Sequence, residues 1–385
     1  MDFSPIDKAL AGYIADKELA GCVTQVSHRG QIVHRSVQGL KDIASGEAPK
    51  QDTIFRIYSM TKPVTAVAMM LLYDQGLWSP DDAIADHLPE FADVKVLAEG
   101  GALVAPDRPP TLRDLLTHTM GLGYGFDPND PVDAAYIAAG VWTQPNLAKM
   151  SAAVASCPLA FQPGTRWRYS LSMDVQGAII EKLSGQSLPD FMRDRIFTPL
   201  AMVDTDFWVP DAKRPRLATL YRTRKEGGLT EVKQPMMNRD PGKIPDLAGG
   251  GGGLFSTAAD YGRFAQMLLN RGSLDGVTIL ESASVDLMTT NHISDEIMAG
   301  GYSVGLQKIR PGYGQGFNGS VFCDPAAAGS RVGKGTYQWD GAAGTWFWVD
   351  PVNELVFVGL IQRMDEGAKV NFQALTQEIM AEVLG

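Results

Sequence analysis

Strand patterns lie near both ends of the chain, and a long stretch with few strand signals separates them. Near the amino terminus, Val23, Gln25 and Ser27 alternate with their neighbours up to a turn at Arg29 and Gly30. Strand patterns return near the carboxyl terminus, over 302–309, 336–339, 345–349 and 355–361. Because strands at both chain ends are separated by a long insertion, we predict one antiparallel sheet assembled from both chain ends.

The middle of the chain is predicted to be mainly helical, with proline-rich joints. Its clearest helix begins at Thr257, where Thr257 and Asp260 form a T-x-x-D capping signature. At 385 residues the chain can hold one large domain or two lobes. We predict an α/β (α+β) fold with a sheet domain of residues 1–76 and 299–385 and a mainly helical inserted domain of residues 77–298. Further helices are predicted over 6–19, 173–183 and 368–384.

The tetrad Ser59-Met60-Thr61-Lys62 opens an apolar run with helical spacing over 64–72. Pro63 is tolerated only in the first turn of a helix, so the helix must begin near Ser59, and Gly76 is its predicted C-cap. Residues three apart share one helix face, so the Lys62 amine can reach the Ser59 hydroxyl and take its proton. A chance pairing of Ser and Lys on a core helix is the alternative reading.

Two later segments supply candidate partners for a nucleophilic serine. A Pro-Gly turn at the start of 163–169 delivers Tyr169 from a loop just before a predicted helix. At the end of a carboxyl-terminal strand, Gly341 lets the backbone come close to a substrate, and the amide of Ala342 is a candidate oxyanion donor. The alternative for Tyr169 is a packed ring with a structural role. The alternative for Gly341 and Ala342 is an ordinary turn at the end of a strand.

The run of glycines over 249–253 is either a bare linker or a place of tight backbone approach. It leads directly into the capped helix at Thr257, which favours close approach. Aromatic residues of the middle region are candidates to line an apolar pocket: Tyr124, Phe126, Trp142 and Trp208.

Taken together, these segments resemble the serine β-lactamase and penicillin-binding-protein superfamily. The order is Ser59-x-x-Lys62, a Tyr-containing triplet about a hundred residues on, and a strand triplet ending in Gly341. The closer likeness is to the family VIII carboxylesterases, which are similar to class C β-lactamases. It extends over nearly the whole chain and includes 115–122, 163–169 and 250–257. The resemblance implies a β-lactamase-like fold.

The resemblance also implies a role for each matching residue. Ser59 is the implied nucleophile, Lys62 its proton acceptor, and Tyr169 the partner acid and base. The backbone amides of Ser59 and Ala342 form the implied oxyanion hole. The implied substrate-binding residues are Trp339, Gly341 and Leu171.

The chain departs from class C β-lactamases at two motifs. Those enzymes have Tyr-x-Asn where this chain has Tyr169-Ser170-Leu171, so the amide that helps to hold a β-lactam side chain is missing. They have Lys-Thr-Gly where this chain has Trp339-Asp340-Gly341, so the cation near the β-lactam carboxylate is absent. Both variants occur among family VIII esterases, and this favours esters as substrates.

The sequence therefore favours a serine hydrolase that cleaves short-chain carboxylic esters through an acyl-enzyme on Ser59. A β-lactamase, a D-amino-acid peptidase or an acyltransferase on the same fold remains open. A non-catalytic binding module is a further alternative, although it would be expected to lack Ser59, Lys62 or Tyr169.

Net charge and cysteine spacing limit the kinds of partner and the compartment expected for this protein. The net charge of −10 argues against a nucleic-acid or anionic-membrane partner. Cys22, Cys157 and Cys323 are widely spaced, without metal-ligand spacing, which suits free thiols in a reducing compartment. No signal-peptide pattern is visible at the amino terminus, so the expected location is cytoplasmic. We expect no metal, no cofactor and a small-molecule ester as the substrate.

Residues 301–305 match G-x-S-x-G, the nucleophile elbow of α/β-hydrolases. That fold requires a histidine after the serine, and none of the five histidines follows Ser303. The motif also lies inside a strand pattern, so we interpret it as fortuitous. We expect His118, in its loop, to be a hydrogen-bonded structural residue rather than a base.

Overall fold

The computed structural model describes residues 1–235, 240–304, 307–309, 311–364 and 370–385, with the backbone alone for 302–304 and 307–309. The strands are β1 (Gly21–His28), β2 (Gln31–Gly39), β3 (Phe55–Arg56), β4 (Val96–Leu97), β5 (Leu103–Val104), β6 (Tyr221–Thr223), β7 (Leu229–Glu231), β8 (Phe255–Ser256), β9 (Ser273–Leu274), β10 (Val277–Thr278), β11 (Tyr302–Val304), β12 (Gln307–Ile309), β13 (Tyr313–Gly316), β14 (Gly319–Phe322), β15 (Tyr337–Asp340), β16 (Trp346–Asp350), β17 (Leu355–Leu360) and β18 (Arg363–Met364).

The helices are α1 (Ser4–Ala15), α2 (Thr61–Tyr73), α3 (Ile84–His87), α4 (Leu112–Leu116), α5 (Pro131–Ala138), α6 (Leu147–Ala155), α7 (Ser172–Ser184), α8 (Leu188–Met192), α9 (Ala258–Leu269), α10 (Ser282–Met288), α11 (Asp295–Gly300) and α12 (Phe372–Leu384). Short helical turns include Tyr58–Met60, directly before α2, and a π-helical turn at Arg193–Phe197.

A seven-stranded antiparallel sheet forms the centre of the fold, in the order β13-β14-β15-β16-β17-β1-β2. The two ends of the chain meet where β17 pairs with β1, with Val26 opposite Phe357. The prediction of one antiparallel sheet built from both chain ends is confirmed. The predicted division of the chain into domains at residues 76 and 298 stays a prediction.

Both faces of the sheet are covered, and β16 shows how. Trp346 and Trp348 point to one face, where they pack in an apolar cluster with residues of α1 and α12. Phe347, between them, points to the other face and contacts Tyr261 of α9 with ring centroids 4.9 Å apart. The side-chain period of two in a strand sends alternate residues to opposite faces. All five residues of β16 are therefore buried.

The helix α2 lies deep in the molecule, and only Tyr73 among its residues keeps appreciable exposure. It packs beside α7 in the largest apolar cluster, which continues from the sheet into the helical region. Lys62, in the first turn of α2, is fully buried. Burial of a charged amine is costly, so the charge of Lys62 does not explain its place in the core through stability.

Several predicted elements differ from the structure. The described residues 302–304 and 307–309 form a short antiparallel pair, β11 and β12, outside the main sheet, where one strand over 302–309 was predicted. The hairpin of β13 and β14 was not predicted, because Gly314, Gly316 and Gly319 remove the alternating side chains that reveal a strand. The first helix ends at Ala15, earlier than predicted, and the last one begins at Phe372.

The G-x-S-x-G match at 301–305 lies on β11 over Tyr302–Val304, and its last glycine is outside the described residues. A nucleophile elbow requires a sharp strand-to-helix turn. The described part of the motif instead pairs with β12 as an antiparallel ladder.

Candidate active site

The turn Tyr58–Met60 places Ser59 at the amino end of α2. Pro63 lies in the first turn of that helix, so the prediction of a helix that begins near Ser59 is confirmed. Tyr58, just before the serine, has a φ of 42°, which is unfavourable for a residue with a side chain. Backbone strain of this kind costs about 1–3 kcal/mol and concentrates at functional sites.

The structure brings together the three side chains that the resemblance implies are catalytic. The Ser59 Oγ lies 2.7 Å from the Tyr169 hydroxyl, and the Lys62 amine donates to the same Oγ at 3.2 Å. Ser59 and Tyr169 keep partial exposure, whereas Lys62 has none. A nucleophile within reach of two proton-transfer groups, open to solvent on one side, is the geometry that nucleophilic catalysis needs.

The amine of Lys62 sits in a buried polar pocket. It donates to the carbonyl oxygen of Gly251 at 2.5 Å. Burial lowers the pKa of Lys62 to about 7, while the charges of Asp174 and Asp340 act in the opposite direction. Burial raises the pKa of Asp174 to about 6, opposed mainly by the charge of Lys62. The lysine can therefore be neutral, and act as a base, near neutral pH.

The segment before α7 that carries Tyr169 is fixed by backbone hydrogen bonds. The amide of Gly164 donates to the carbonyl of Thr119 at 2.8 Å, and that of Arg168 donates to the carbonyl of His118 at 2.9 Å. Gly164 has a φ of 80°, as its turn requires. The guanidinium of Arg168 pairs with Asp130 and Asp133. Tyr169 thus lies on a firmly held loop.

Aromatic rings surround the Tyr169 phenol. Its ring centroid lies 5.2 Å from that of Tyr124, 5.1 Å from His118 and 6.2 Å from Trp339. Burial raises the pKa of Tyr169 well above its ordinary value, and the hydrogen bond with Ser59 opposes that shift. The phenol is therefore neutral at physiological pH, and can donate a proton or pass one on.

The glycine run marks close backbone approach, as its position before α9 predicts. A Cβ on Gly250 would overlap the carbonyl oxygen of Met173 on α7. A Cβ on Gly251 would lie 2.7 Å from Oδ2 of Asp174 and 3.4 Å from Nζ of Lys62. Gly253 has no room for a Cβ beside the ring of Phe207. The run brings its carbonyls against α2, where Thr65 as well as Lys62 donates to it.

The end of β15 lies against the turn that carries Ser59. A Cβ on Gly341 would overlap the carbonyl oxygen of Ile57 and the hydroxyl of Thr345. The amide of Gly341 donates to Thr345 at 2.7 Å. The amide of Ala342 has no hydrogen-bond partner within the described chain. The close approach of Gly341 is thus to the chain's own backbone, two residues before Ser59.

The β-lactamase family model matches residues 6–378. The chain belongs to the β-lactamase family. The resemblance to this superfamily, stated from the motifs, is thereby confirmed, and so is the predicted β-lactamase-like fold.

This β-lactamase-family chain is similar to several known proteins, which include one that is named as an esterase. It is 38% identical over 351 residues to protein Rv1367c of Mycobacterium tuberculosis, covering 89% of this chain and 86% of the relative. It is 32% identical over 362 residues to esterase EstB of Burkholderia gladioli, with the same coverage. Among solved structures, EstCE1, described as a hydrolase with promiscuous acyltransferase activity, superposes with a TM-score of 0.83 at 25% identity, covering 98% of both chains.

Two implied substrate-binding residues of this β-lactamase-family chain are deeply buried. Leu171, just before α7, is 0% exposed, and its amide donates to the carbonyl of Gly123 at 3.1 Å. Trp339 is 3% exposed, with its ring stacked near Tyr169 and His118. A contribution of either side chain to substrate binding stays a prediction.

His118 is buried and hydrogen-bonded, as expected. Its Nδ1 accepts from the amide of Ser170 at 3.2 Å. Burial holds the pKa of His118 well below its ordinary value, and the charge of Lys62 adds to the shift. The imidazole is therefore neutral, and its ring forms part of the wall beside Tyr169.

Sequence reasoning missed two buried polar residues of the site. Asp174 lies in the first turn of α7, beside Lys62. Asn318, between β13 and β14, donates to the carbonyl of Lys62 at 3.1 Å and to Gln176 at 2.7 Å. The signal that was available is the pair Asp174 and Gln176 within an otherwise apolar stretch of helix.

The aromatic residues suggested as a pocket lining are divided between two places. Tyr124 stacks on Phe126, with ring centroids 4.2 Å apart, and on Trp142 at 5.5 Å, so these three continue the aromatic wall of the site. Trp208 lines a different cavity of about 510 Å³, together with Phe197.

Within the described parts of the chain, no group of three or more His, Cys, Asp or Glu side chains is placed to hold a metal ion. None of the described helices has the length and apolar character to cross a bilayer. Cys22, Cys157 and Cys323 are free thiols.

Proposed function

We propose that this protein is a serine hydrolase that cleaves short-chain carboxylic esters through an acyl-enzyme on Ser59. The observation that carries the proposal is the position of the Ser59 Oγ, within hydrogen-bond reach of both Lys62 and Tyr169. Similarity to esterase EstB supports an esterase-type enzyme on this fold. The substrate is a small ester, and the net charge of −10 offers no attraction to nucleic acid or anionic membranes.

Acylation follows from the three side chains. Neutral Lys62 accepts the proton of Ser59 as the Oγ attacks the ester carbonyl, and a tetrahedral intermediate forms. The intermediate collapses, the bond to the alcohol oxygen breaks, and the alkoxide leaves with a proton passed from Lys62 through Tyr169. The products of this step are the free alcohol and Ser59 esterified by the acyl group.

Deacylation reverses the proton path. Tyr169 and Lys62 together accept a proton from a water molecule, which attacks the acyl carbonyl. The second tetrahedral intermediate releases the carboxylic acid, and the Ser59 Oγ recovers its proton. Lys62 and Tyr169 therefore transfer protons in both halves of the reaction.

The backbone amides of Ser59 and Ala342 are the proposed donors to the oxyanion. Ala342 lies inside the tight turn in which the amide of Gly341 donates to the carbonyl of Thr345, and its own amide lacks a partner in the described structure. Ser59 adds its position at the amino end of α2, where helix dipoles favour negative charge. Two fixed donors of this kind typically lower the barrier by several kcal/mol.

The pocket chemistry favours neutral esters over β-lactams. Trp339 stands where class C β-lactamases have a lysine, and it packs as an aromatic wall beside Tyr169. A β-lactam carboxylate would lose hydration there without gaining a charged hydrogen bond, a loss of about 1.5–3 kcal/mol. The same wall suits flat or aliphatic acyl and alcohol groups.

Acyl transfer to an alcohol is a second candidate on the same site. EstCE1, whose fold covers 98% of this chain, carries acyltransferase activity in its description. The two reactions share the acyl-enzyme and differ only in whether water or an alcohol attacks it.

The test is a series of p-nitrophenyl esters from acetate to palmitate, run beside the chromogenic cephalosporin nitrocefin and with Ser59→Ala as the control. The proposal predicts turnover that is highest on the short esters and absent in Ser59→Ala. Added primary alcohols, with ester products measured by chromatography, separate hydrolysis from acyl transfer. Nitrocefin turnover equal to that of the butyrate ester would replace the esterase proposal by a β-lactamase.

A further inference from the structure

The carboxylate of Asp174 is buried beside the active site, and the reaction just proposed does not use it. Asp174 is 1% exposed and lies in the first turn of α7. Its Oδ1 accepts from the amide of Gly251 at 3.2 Å. Its Oδ2 is buried and has no hydrogen-bond partner in the part of the chain that the structure describes. A buried carboxylate with a spare oxygen is costly, so its presence calls for a role.

Gly251 connects this carboxylate to the catalytic lysine. Its amide binds Asp174, and its carbonyl oxygen accepts from the Lys62 amine at 2.5 Å. The position where a Cβ of Gly251 would lie is 2.7 Å from Asp174 Oδ2 and 3.4 Å from Lys62 Nζ. Asp174 Oδ2 and Lys62 Nζ are therefore no more than about 6 Å apart, and Gly251 contacts both residues.

We propose that Asp174 is a positioning residue: through Gly251 it orients the carbonyl that holds Lys62, and its negative charge stabilises the ammonium form of that lysine. The inference rests on the proposed function, because it concerns the base of that reaction. When Lys62 takes the Ser59 proton, the new ammonium forms next to an existing carboxylate. The charge pair thus favours the tetrahedral intermediate, in which Lys62 is protonated.

A purely structural role for Asp174 would look different. An acidic residue in the first turn of a helix commonly caps the amides of its own helix. Here the residue at the cap position of α7 is Leu171, which makes no side-chain cap, and Asp174 bonds instead to the glycine run across the site. The carboxylate therefore bonds across the site to the glycine run, in addition to the amide of its own residue at the helix start.

Other titratable groups also face this pair. Asp340, at the end of β15, acts on Lys62 in the same direction as Asp174, but its influence is smaller. The phenols of Tyr169 and Tyr124 and the imidazole of His118 are neutral neighbours, because burial shifts each pKa away from ionisation. Asp174 is thus the largest charge that sets the protonation of Lys62.

The variant Asp174→Asn keeps an oxygen that can accept from Gly251 and removes the charge. We expect the acid limb of the kcat/KM profile on p-nitrophenyl butyrate to move about one pH unit lower, since the ammonium of Lys62 loses its partner. The further variant Asp174→Ala also removes the acceptor, and the plateau rate should fall more steeply than in Asp174→Asn. An acid limb that stays in place or moves higher in Asp174→Asn would overturn the proposal.

Asp260→Asn is the matched control. Asp260 also lies in the first turn of a helix, is buried, and has a pKa that burial raises to about 6. Its carboxylate accepts from the amide of Asp204 at 2.7 Å and from Thr205, away from the lysine. The kcat/KM profile of Asp260→Asn should match that of the parent protein. An equal shift of the acid limb in Asp260→Asn and Asp174→Asn would contradict a specific role for Asp174.

A titration without turnover covers the case in which Asp174 variants do not fold. Protein with ¹³Cγ-labelled aspartate, in an Asp340→Asn background, is titrated by NMR with and without Lys62→Met. We expect one buried carboxyl whose titration midpoint rises when Lys62 is replaced. If no aspartate signal responds, the proposal is wrong. If the parent protein has no esterase activity, the proposed function is contradicted, but the response of the aspartate titration to Lys62→Met is unaffected.

Discussion

The hydroxyl of Tyr169 lies 2.7 Å from the Oγ of Ser59, although the two residues are 110 positions apart in the chain. A helix start and a Pro-Gly loop, each held by its own backbone contacts, create this hydrogen bond. Both groups keep partial exposure, which the proposed reaction requires, because an ester carbonyl must approach the serine while the phenol stays in reach of the leaving group.

Ser59→Ala and Lys62→Ala should each lower kcat/KM on p-nitrophenyl butyrate by at least about a thousandfold, because nucleophile and base act as one unit. The double variant should lose little more than either single one. Ser303→Ala, in the fortuitous G-x-S-x-G match, is the control and should retain activity. Circular dichroism checks that each variant is folded, and substantial turnover by folded Ser59→Ala would refute the assignment.

The rate should fall as the pH drops below about 7. Burial lowers the pKa of Lys62 to about 7, so below this value the amine carries a proton and cannot accept another from Ser59. The kcat/KM profile from pH 5 to 9 measures this, with chemistry shown to limit turnover by a change of leaving group. Tyr169→Phe should lose most of the rate over the whole range. A flat profile for the parent protein would count against a lysine base.

Gly341→Ala should lower the free energy of unfolding by about 1–3 kcal/mol and also reduce activity. A methyl group there would overlap the carbonyl of Ile57 and push β15 away from the turn that carries Ser59. Gly12→Ala on α1 is the matched control, because nothing lies within 4 Å of the added Cβ. Urea unfolding measures both variants, and equal stability for the two would show that the close approach at Gly341 is unimportant.

Trp339→Lys should shift the balance of activities towards β-lactams. The lysine would supply a cation for the ring carboxylate, a charged hydrogen bond that corresponds to roughly ten- to a hundredfold in binding. The ratio of kcat/KM for nitrocefin and p-nitrophenyl butyrate, in one buffer, is the measurement. Trp339→Phe keeps the aromatic wall without the charge, and a rise of similar size in that variant would assign the effect to space rather than charge.

The sequence was sufficient for the parts of the site that local patterns encode. Pro63 fixes where α2 begins, so the position of Ser59 followed from one residue. The meeting of β1 and β17 followed from strand patterns at both chain ends, which need partners. The resemblance to a known superfamily supplied the expected roles of Lys62 and Tyr169, and both side chains lie beside Ser59 in the structure.

What the sequence could not provide depends on contacts between distant segments. Gly251 bonds to both Asp174 and Lys62, and no spacing rule links these three places in the sequence. The hairpin that carries Asn318 escaped prediction because its glycines leave no alternating pattern. In both cases the information lies in tertiary packing, which periodicity along the chain does not report.

The central claim is an acyl group on Ser59, and mass spectrometry of the quenched enzyme tests it most directly. The protein is mixed with a p-nitrophenyl ester, stopped with acid within the first turnover, and digested, with Ser59→Ala treated alongside. We predict that the peptide containing Ser59 gains the mass of the acyl group minus one hydrogen, and that the gain is absent in Ser59→Ala. An acyl group found on another residue, or an active enzyme that is never acylated when deacylation is slowed, would contradict the proposed mechanism.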